Sequence, residues 1–126
     1  MKTQATNDDY LEAIFLLLKQ KHKVRSIDLA QCMERSKASV SLAISSLRKG
    51  GFLTMDQNKF LHLTPAGERI ARQTHEKHLI LSAMLVQIGV DSDIAQKDAY
   101  QIAHVISNNS FQKLKIFYKN RFEICK

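Results

Sequence analysis

The sequence predicts a mainly α fold in two parts, an N-terminal winged helix-turn-helix followed by an all-helical domain. Three observations predict it. Apolar residues recur at helical spacing through most of the chain. Residues 52–63 depart from that period and read as two short strands about a tight turn. One proline and four glycines among 126 residues leave the chain mostly helix.

The first helix is expected over residues 7–22. Leu11, Ile14, Phe15 and Leu18 form its apolar stripe, Leu16 and Leu17 widen it, and Thr6 or Asn7 can cap it. Asp8, Asp9 and Glu12 fall in its first turn, where carboxylates favour the positive end of the helix dipole. Asp9 and Glu12 also stand three apart on one face, a spacing able to hold a cation. The residues alone leave both readings open. Lys21 to Arg25 is a basic connector placed for phosphate contact.

The stretch from Ser26 to Thr64 carries the turn motif. Ser26 is an expected N-cap, and Ile27, Leu29, Ala30 and Met33 supply helical apolar spacing. Glu34-Arg35-Ser36 interrupts it as a turn. Val40, Ile44 and Leu47 then mark the buried stripe of a second helix ending at Gly50-Gly51. Its other face holds Lys37, Ser39, Ser41, Leu42, Ser45, Arg48 and Lys49. Such a face can lie in a major groove, where hydroxyls reach base edges and cations neutralise phosphates. Phe52–Met55 and Phe60–Leu63 read as strands about Asp56-Gln57-Asn58, with Lys59 near the tip. Thr64-Pro65 opens the next helix as N-cap and N1 proline.

That helix is expected to run to about Ile88, with Ile70, Ala71, His78, Leu81, Leu85 and Ile88 on its buried side, and Gly89 ends it. Asp91 is the expected cap of a helix from Ser92 to Ile106. Its stripe of Ala95, Ala99, Ile102, Ala103 and Ile106 suits a dimer seam or an intrachain contact. A last helix begins at Asn109 or Ser110, with Phe111, Leu114, Phe117 and Tyr118 inward. The domain boundaries read as 1–72 for the DNA-binding winged helix and 73–126 for an all-helical domain.

Net charge is +7 and the pI is near 9.6, which points to a polyanionic partner. Residues 35–72 hold seven Lys/Arg and two Asp/Glu, so +5 of that charge is local to the turn motif. No run of 18 apolar residues marks a membrane span, and the N-terminus lacks a signal-peptide core. Cys32 and Cys125 form no disulfide framework, Cys32 being expected in the core, and a cytoplasmic location fits. No phosphate-cradling glycine loop, nucleophile elbow or zinc-protease helix signature is present, so no enzyme is expected.

Several segments in order resemble one family. They are Asp9-Tyr10-Leu11-Glu12-Ala13-Ile14, Ser39-Val40-Ser41, Leu63-Thr64-Pro65-Ala66-Gly67, His78, Gly89-Val90-Asp91 and Asp98 to Ser107. Together they resemble the diphtheria-toxin-repressor family, and within it the short manganese-transport regulators. The resemblance implies a homodimeric, metal-responsive transcriptional regulator with its metal site built from the first helix, the long helix and the helix after Gly89. Position by position, Asp9 and Glu12 match first-helix ligands, His78 the long-helix ligand and His104 the later histidine. Tyr100 stands where the family usually has Glu or Cys, and Ala103 where it has Glu. Two carboxylates and two imidazoles remain, a donor set suited to Mn or Fe, with Zn or Co possible, in one mononuclear site.

The expected function is repression of manganese or iron transport genes through double-stranded DNA. Arg25, Ser36, Lys37, Ala38, Ser39, Ser41, Leu42 and Lys49 are the expected contacts of the turn motif, with Asn58 and Lys59 on the wing. A homodimer implies a pseudo-palindromic operator. Tyr100 and Ala103 also admit a metal-independent regulator answering to an organic ligand or a protein partner. A protein-interaction module is the third reading, distinguished by salt-insensitive DNA binding.

Overall fold

The computed structural model describes residues 5–123. Its elements are α1 (Asn7–Lys21), α2 (Ser26–Met33), α3 (Lys37–Lys49), β1 (Leu53–Met55), β2 (Leu61–Leu63), α4 (Pro65–Gln87), α5 (Ser92–Val105) and α6 (Asn108–Tyr118). A π-helical turn, Lys119–Glu123, follows. This is the mainly α winged-helix architecture the periodicity implies. The chain divides into two units, the first ending at Thr74 and the second beginning at His75, inside α4.

In the first unit α1, α2 and α3 close over a core that includes Leu11, Ile14, Phe15, Leu29, Val40, Ile44 and Leu47. Leu11, Ile14, Leu29, Val40 and Leu47 are at most 1% exposed. Burial of each contributes about 1.5–3 kcal/mol. Tyr10 and Val24 belong to this core as well, outside the expected stripes. Ile27 does not. It is 50% exposed, because α2 begins at Ser26 and its first turn carries Ile27 outward, leaving Leu29 and Ala30 to face the core. Cys32 is also exposed, on the solvent side of α2, which corrects its expected burial. Cys125 lies outside the described residues.

Caps explain where the helices start. Thr6 caps α1, its hydroxyl accepting from the Asp9 N–H at 3.3 Å, while Asp9 Oδ2 accepts from the Thr6 N–H at 2.8 Å. Ser26 sits one residue inside α2 rather than at its cap. The cap position is Arg25, whose N–H donates to Asp28 Oδ2 at 2.9 Å. Ser36 caps α3, accepting from the Ser39 N–H at 3.1 Å.

The wing is an antiparallel pair in the register Leu53↔Leu63, Thr54↔His62, Met55↔Leu61. Each strand is one residue shorter than expected, since Phe52 and Phe60 lie outside the ladder. At the tip Asp56 accepts from the N–H groups of Asn58 at 2.9 Å and Phe60 at 3.0 Å, and Lys59 takes φ 66°. Leaving the wing, the Thr64 hydroxyl donates to the Gly51 carbonyl at 2.8 Å and accepts from the Gly67 N–H at 3.1 Å.

In the second unit Ile80, Leu81, Ala99, Phe111 and Tyr118 form the core. Lys115 pairs with Glu76 at 3.0 Å, tying α6 to α4. Three expectations are corrected. Ile88 (74% exposed) and Phe117 (55% exposed) face outward, Ile88 standing one residue past the end of α4 at Gln87. Ser107, not Asn109 or Ser110, caps the last helix by accepting from the Ser110 N–H at 3.1 Å. Asp91 holds the cap position of α5 without a side-chain capping bond.

Candidate nucleic-acid interface and metal donors

α3 divides cleanly between core and solvent. Val40, Ala43, Ile44 and Leu47 are buried. Ala38, Ser39, Ser41, Leu42, Ser45, Arg48 and Lys49 are exposed, as is Lys37. At 100° per residue, Ala38, Leu42, Ser45 and Lys49 fall within about 60° of one another on the side opposite the core. Lys37 and Arg48 flank that stripe. An open groove of about 950 Å³ runs along this flank between α3 and β1, with Lys37, Ser41, Ser45, Arg48 and Thr54 on its walls. Ser45 and Arg48 stand on the face predicted from sequence but were not among the expected contacts. The same period that places Lys49 and Lys37 there places them too.

A second, smaller notch brings Arg25 together with Asn58 and Lys59, residues far apart in the sequence. The Arg25 guanidinium lies 4.4 Å over the Phe60 ring, and the Lys23 ammonium 5.5 Å from it. A cation over an aromatic face keeps its outer N–H groups available for phosphate. Lys21 serves otherwise. Its ammonium pairs with Asp28 Oδ1, so it neutralises a carboxylate of its own unit. The backbone N–H of Arg25 first, and then that ammonium, hold the Asp28 carboxyl below the usual carboxylate range. On the wing, His62 Nε2 lies 2.8 Å from Asp56 Oδ2. That bond, then the Phe60 N–H, lowers the Asp56 carboxyl likewise.

Of the expected metal donors, Asp9 and Glu12 lie in the first unit and His78 and His104 in the second. Asp9 is 3% exposed, a depth at which carboxylates are almost always partnered, and Oδ2 is engaged by the Thr6 N–H and hydroxyl. Glu12 follows on the next turn, half-buried. The α1 start that positions both is also tied to α3, the Asn7 amide donating to the Ser46 hydroxyl at 3.1 Å. Nothing in the periodicity signalled this bond, since both residues are polar and exposed. In the second unit Tyr100 touches both imidazoles. Its ring centroid is 5.4 Å from that of His78 and 4.6 Å from that of His104, edge-on to the latter. Ala103 is half-buried and offers no donor.

A helix pair whose second member turns a hydroxyl-and-lysine stripe to solvent, followed at once by a two-stranded hairpin, defines a winged-helix protein. Comparison with known proteins gives the family. The model described as the iron dependent repressor N-terminal DNA binding domain matches residues 2–61. That described as the iron dependent repressor metal binding and dimerisation domain matches residues 64–124. The HTH-type transcriptional regulator MntR of Lysinibacillus sphaericus is 32% identical over 107 residues, 85% of this chain and 77% of that protein. The transcriptional regulator MntR of Salmonella typhimurium is 31% identical over 110 residues, 87% of this chain and 70% of that protein. The solved manganese regulator SloR superposes with a TM-score of 0.84 at 22% identity, covering 93% of this chain. The chain spans little more than half of SloR, 55% of its length.

The chain belongs to the iron-dependent repressor family, that of the diphtheria toxin repressor, and within it stands close to the MntR regulators. It is a transcriptional regulator of that family. Among the described residues no helix is long and apolar enough to cross a membrane.

Proposed function

We propose that this chain is a homodimeric, metal-responsive repressor of manganese or iron transport genes. The observation that carries the reading is the outward stripe of α3, from Ala38 to Lys49, exposed beside the wing. Ser39, Ser41 and Leu42 face base edges, and Lys37 and Lys49 the phosphates. Ser36 keeps its capping bond while its position marks the helix end nearest the duplex. Arg25, Asn58 and Lys59 contact the backbone from the notch they share.

Seven of the nine large apolar side chains left exposed among the described residues lie between residues 79 and 117. They supply the apolar surface that a second copy would cover. The operator is then pseudo-palindromic.

Following the family pattern matched position by position in the sequence, Asp9, Glu12, His78 and His104 are the donors proposed for a divalent transition ion. Mixed carboxylate and imidazole donors fit Mn or Fe, and also Zn or Co. Tyr100 and Ala103 add none, so one ion per chain is the expected load. A mobility-shift titration tests the whole reading. Binding that tightens with Mn or Fe and weakens with chelator supports it, and equal affinity in both removes the metal switch.

One observation favours a second reading. Tyr100 packs against both His78 and His104, giving the imidazoles an aromatic neighbour in place of a carboxylate. A regulator answering to an organic ligand or partner protein would then need no metal. Native mass spectrometry of the chain in excess Mn, showing no bound ion, would favour it.

A further inference from the structure

The outward stripe of α3 holds Ala38, Leu42, Ser45 and Lys49, and among them one side chain is both large and apolar. Leu42 is 74% exposed. An exposed leucine alone says little, since folded surfaces carry many. Its setting says more. It lies opposite the buried Val40, Ala43, Ile44 and Leu47, at the centre of the helix, with hydroxyls before and after it. It can neither donate nor accept a hydrogen bond. In the major groove, the one methyl among the base edges is the thymine 5-methyl; cytosine offers only a C5–H in its place, and the remaining edge positions are donors or acceptors. Set against N–H or carbonyl groups, Leu42 would leave them desolvated and unpaired, a cost that rejects such bases.

We propose that Leu42 is a specificity-determining residue that reads a thymine 5-methyl group in each half of the bound site. The inference rests on the reading of α3 as the helix that enters the groove, and adds what it selects. Ser41 and Ser45 then act as short polar neighbours that let Leu42 approach the methyl. Lys37 and Arg48, on the flank, hold the helix at that depth through phosphates of either sequence.

The test uses the full chain with Mn²⁺ and duplexes enriched from a random-sequence library. Each thymine of an enriched duplex is replaced in turn by deoxyuridine, which removes the methyl and keeps the base pair. Loss of a single methyl contact is expected to weaken the native chain about fourfold. Leu42→Ala binds the thymine duplex more weakly and shows no further loss with deoxyuridine. Leu42→Met, still apolar and long, keeps the deoxyuridine penalty. A native chain indifferent to deoxyuridine at every position overturns the assignment, as does a Leu42→Ala chain that retains the whole penalty. If a chain folded by circular dichroism enriches no duplex with metal present, the DNA reading itself fails and the assignment falls with it.

Discussion

A Cβ at residue 67 would lie 2.0 Å from the Phe52 carbonyl oxygen, so only glycine lets the first turn of α4 seat against the strand entry. The obstacle is backbone, which cannot swing aside as a side-chain end can. Gly67→Ala must therefore shift α4 or β1, at a cost of about 3 kcal/mol or more. Urea denaturation followed by circular dichroism checks this. An unchanged midpoint would mean that α4 tolerates displacement.

Glu34 ends α2 in the left-handed region, at φ 54° and ψ 47°. An L side chain there costs about 1–2 kcal/mol, and glycine adopts the same conformation without penalty. Part of the gain is lost to glycine's greater freedom in the unfolded chain. Glu34→Gly should therefore stabilise the first unit by about 1 kcal/mol. A lower denaturation midpoint than the parent's contradicts the assignment of strain.

Asp28 gives the stability a pH dependence with a definite sign. Its carboxyl is lowered in the folded chain by the Arg25 N–H and then by Lys21. A folded value below the unfolded one, near 3.9, means that the unfolded chain takes up the proton first. The contribution is whole above about pH 4 and is lost as pH falls through the folded value. Asp28→Asn should remove that part of the acid transition while changing little of the curve's shape above pH 5. Identical acid-unfolding curves for the two proteins would show that the carboxylate adds nothing.

Phosphate contact has a separate signature. Each cation neutralising one phosphate contributes about 0.9 to the slope of log affinity against log salt. Lys37→Ala and Arg48→Ala should each lower the slope by that amount and weaken all sequences alike. Lys21→Ala should leave it unchanged, because Lys21 already faces Asp28. A slope that drops for Lys21→Ala and not for Arg48→Ala would misplace the interface.

Tyr100 bears on the metal stoichiometry. If the phenol is no donor, Tyr100→Phe binds as many ions as the parent, and Tyr100→Glu, with a new carboxylate, binds more tightly or takes a second. Native mass spectrometry across a Mn titration counts them. Loss of the ion in Tyr100→Phe would make the phenol a ligand after all.

Much of this was legible in the residues, for reasons that differ by element. The buried stripe of α3 announced itself because Val40, Ile44 and Leu47 keep strict helical spacing between polar neighbours. The start of α4 was equally plain, since Thr64-Pro65 is cap and first helical residue in turn. Helix ends were less so. Ser107, Asn108, Asn109 and Ser110 are all good caps, and only the backbone path selects Ser107. Ile27, Ile88 and Phe117 look like core residues by composition, yet Ile27 and Phe117 sit at the edge of their helices' buried arcs and Ile88 lies just past the end of α4. Val24 is fully buried in a loop, where no period could reveal it. Among the candidate donors, Asp9 and Glu12 were visible as an i, i+3 pair. The approach of Tyr100 to His104 follows from their i, i+4 spacing, but its packing on His78 was not legible, since His78 lies on another helix.

The Thr64 hydroxyl belongs at once to the loop after the reading helix, through Gly51, and to the opening turn of α4, through Gly67. Together with the Thr64 N–H, which donates to the Phe52 carbonyl at 3.2 Å, that oxygen couples the opening of two neighbouring segments. Amide protons of residues 52 and 67 are expected to exchange with deuterium in step, and Thr64→Val, which keeps the shape and removes the oxygen, should uncouple their clocks.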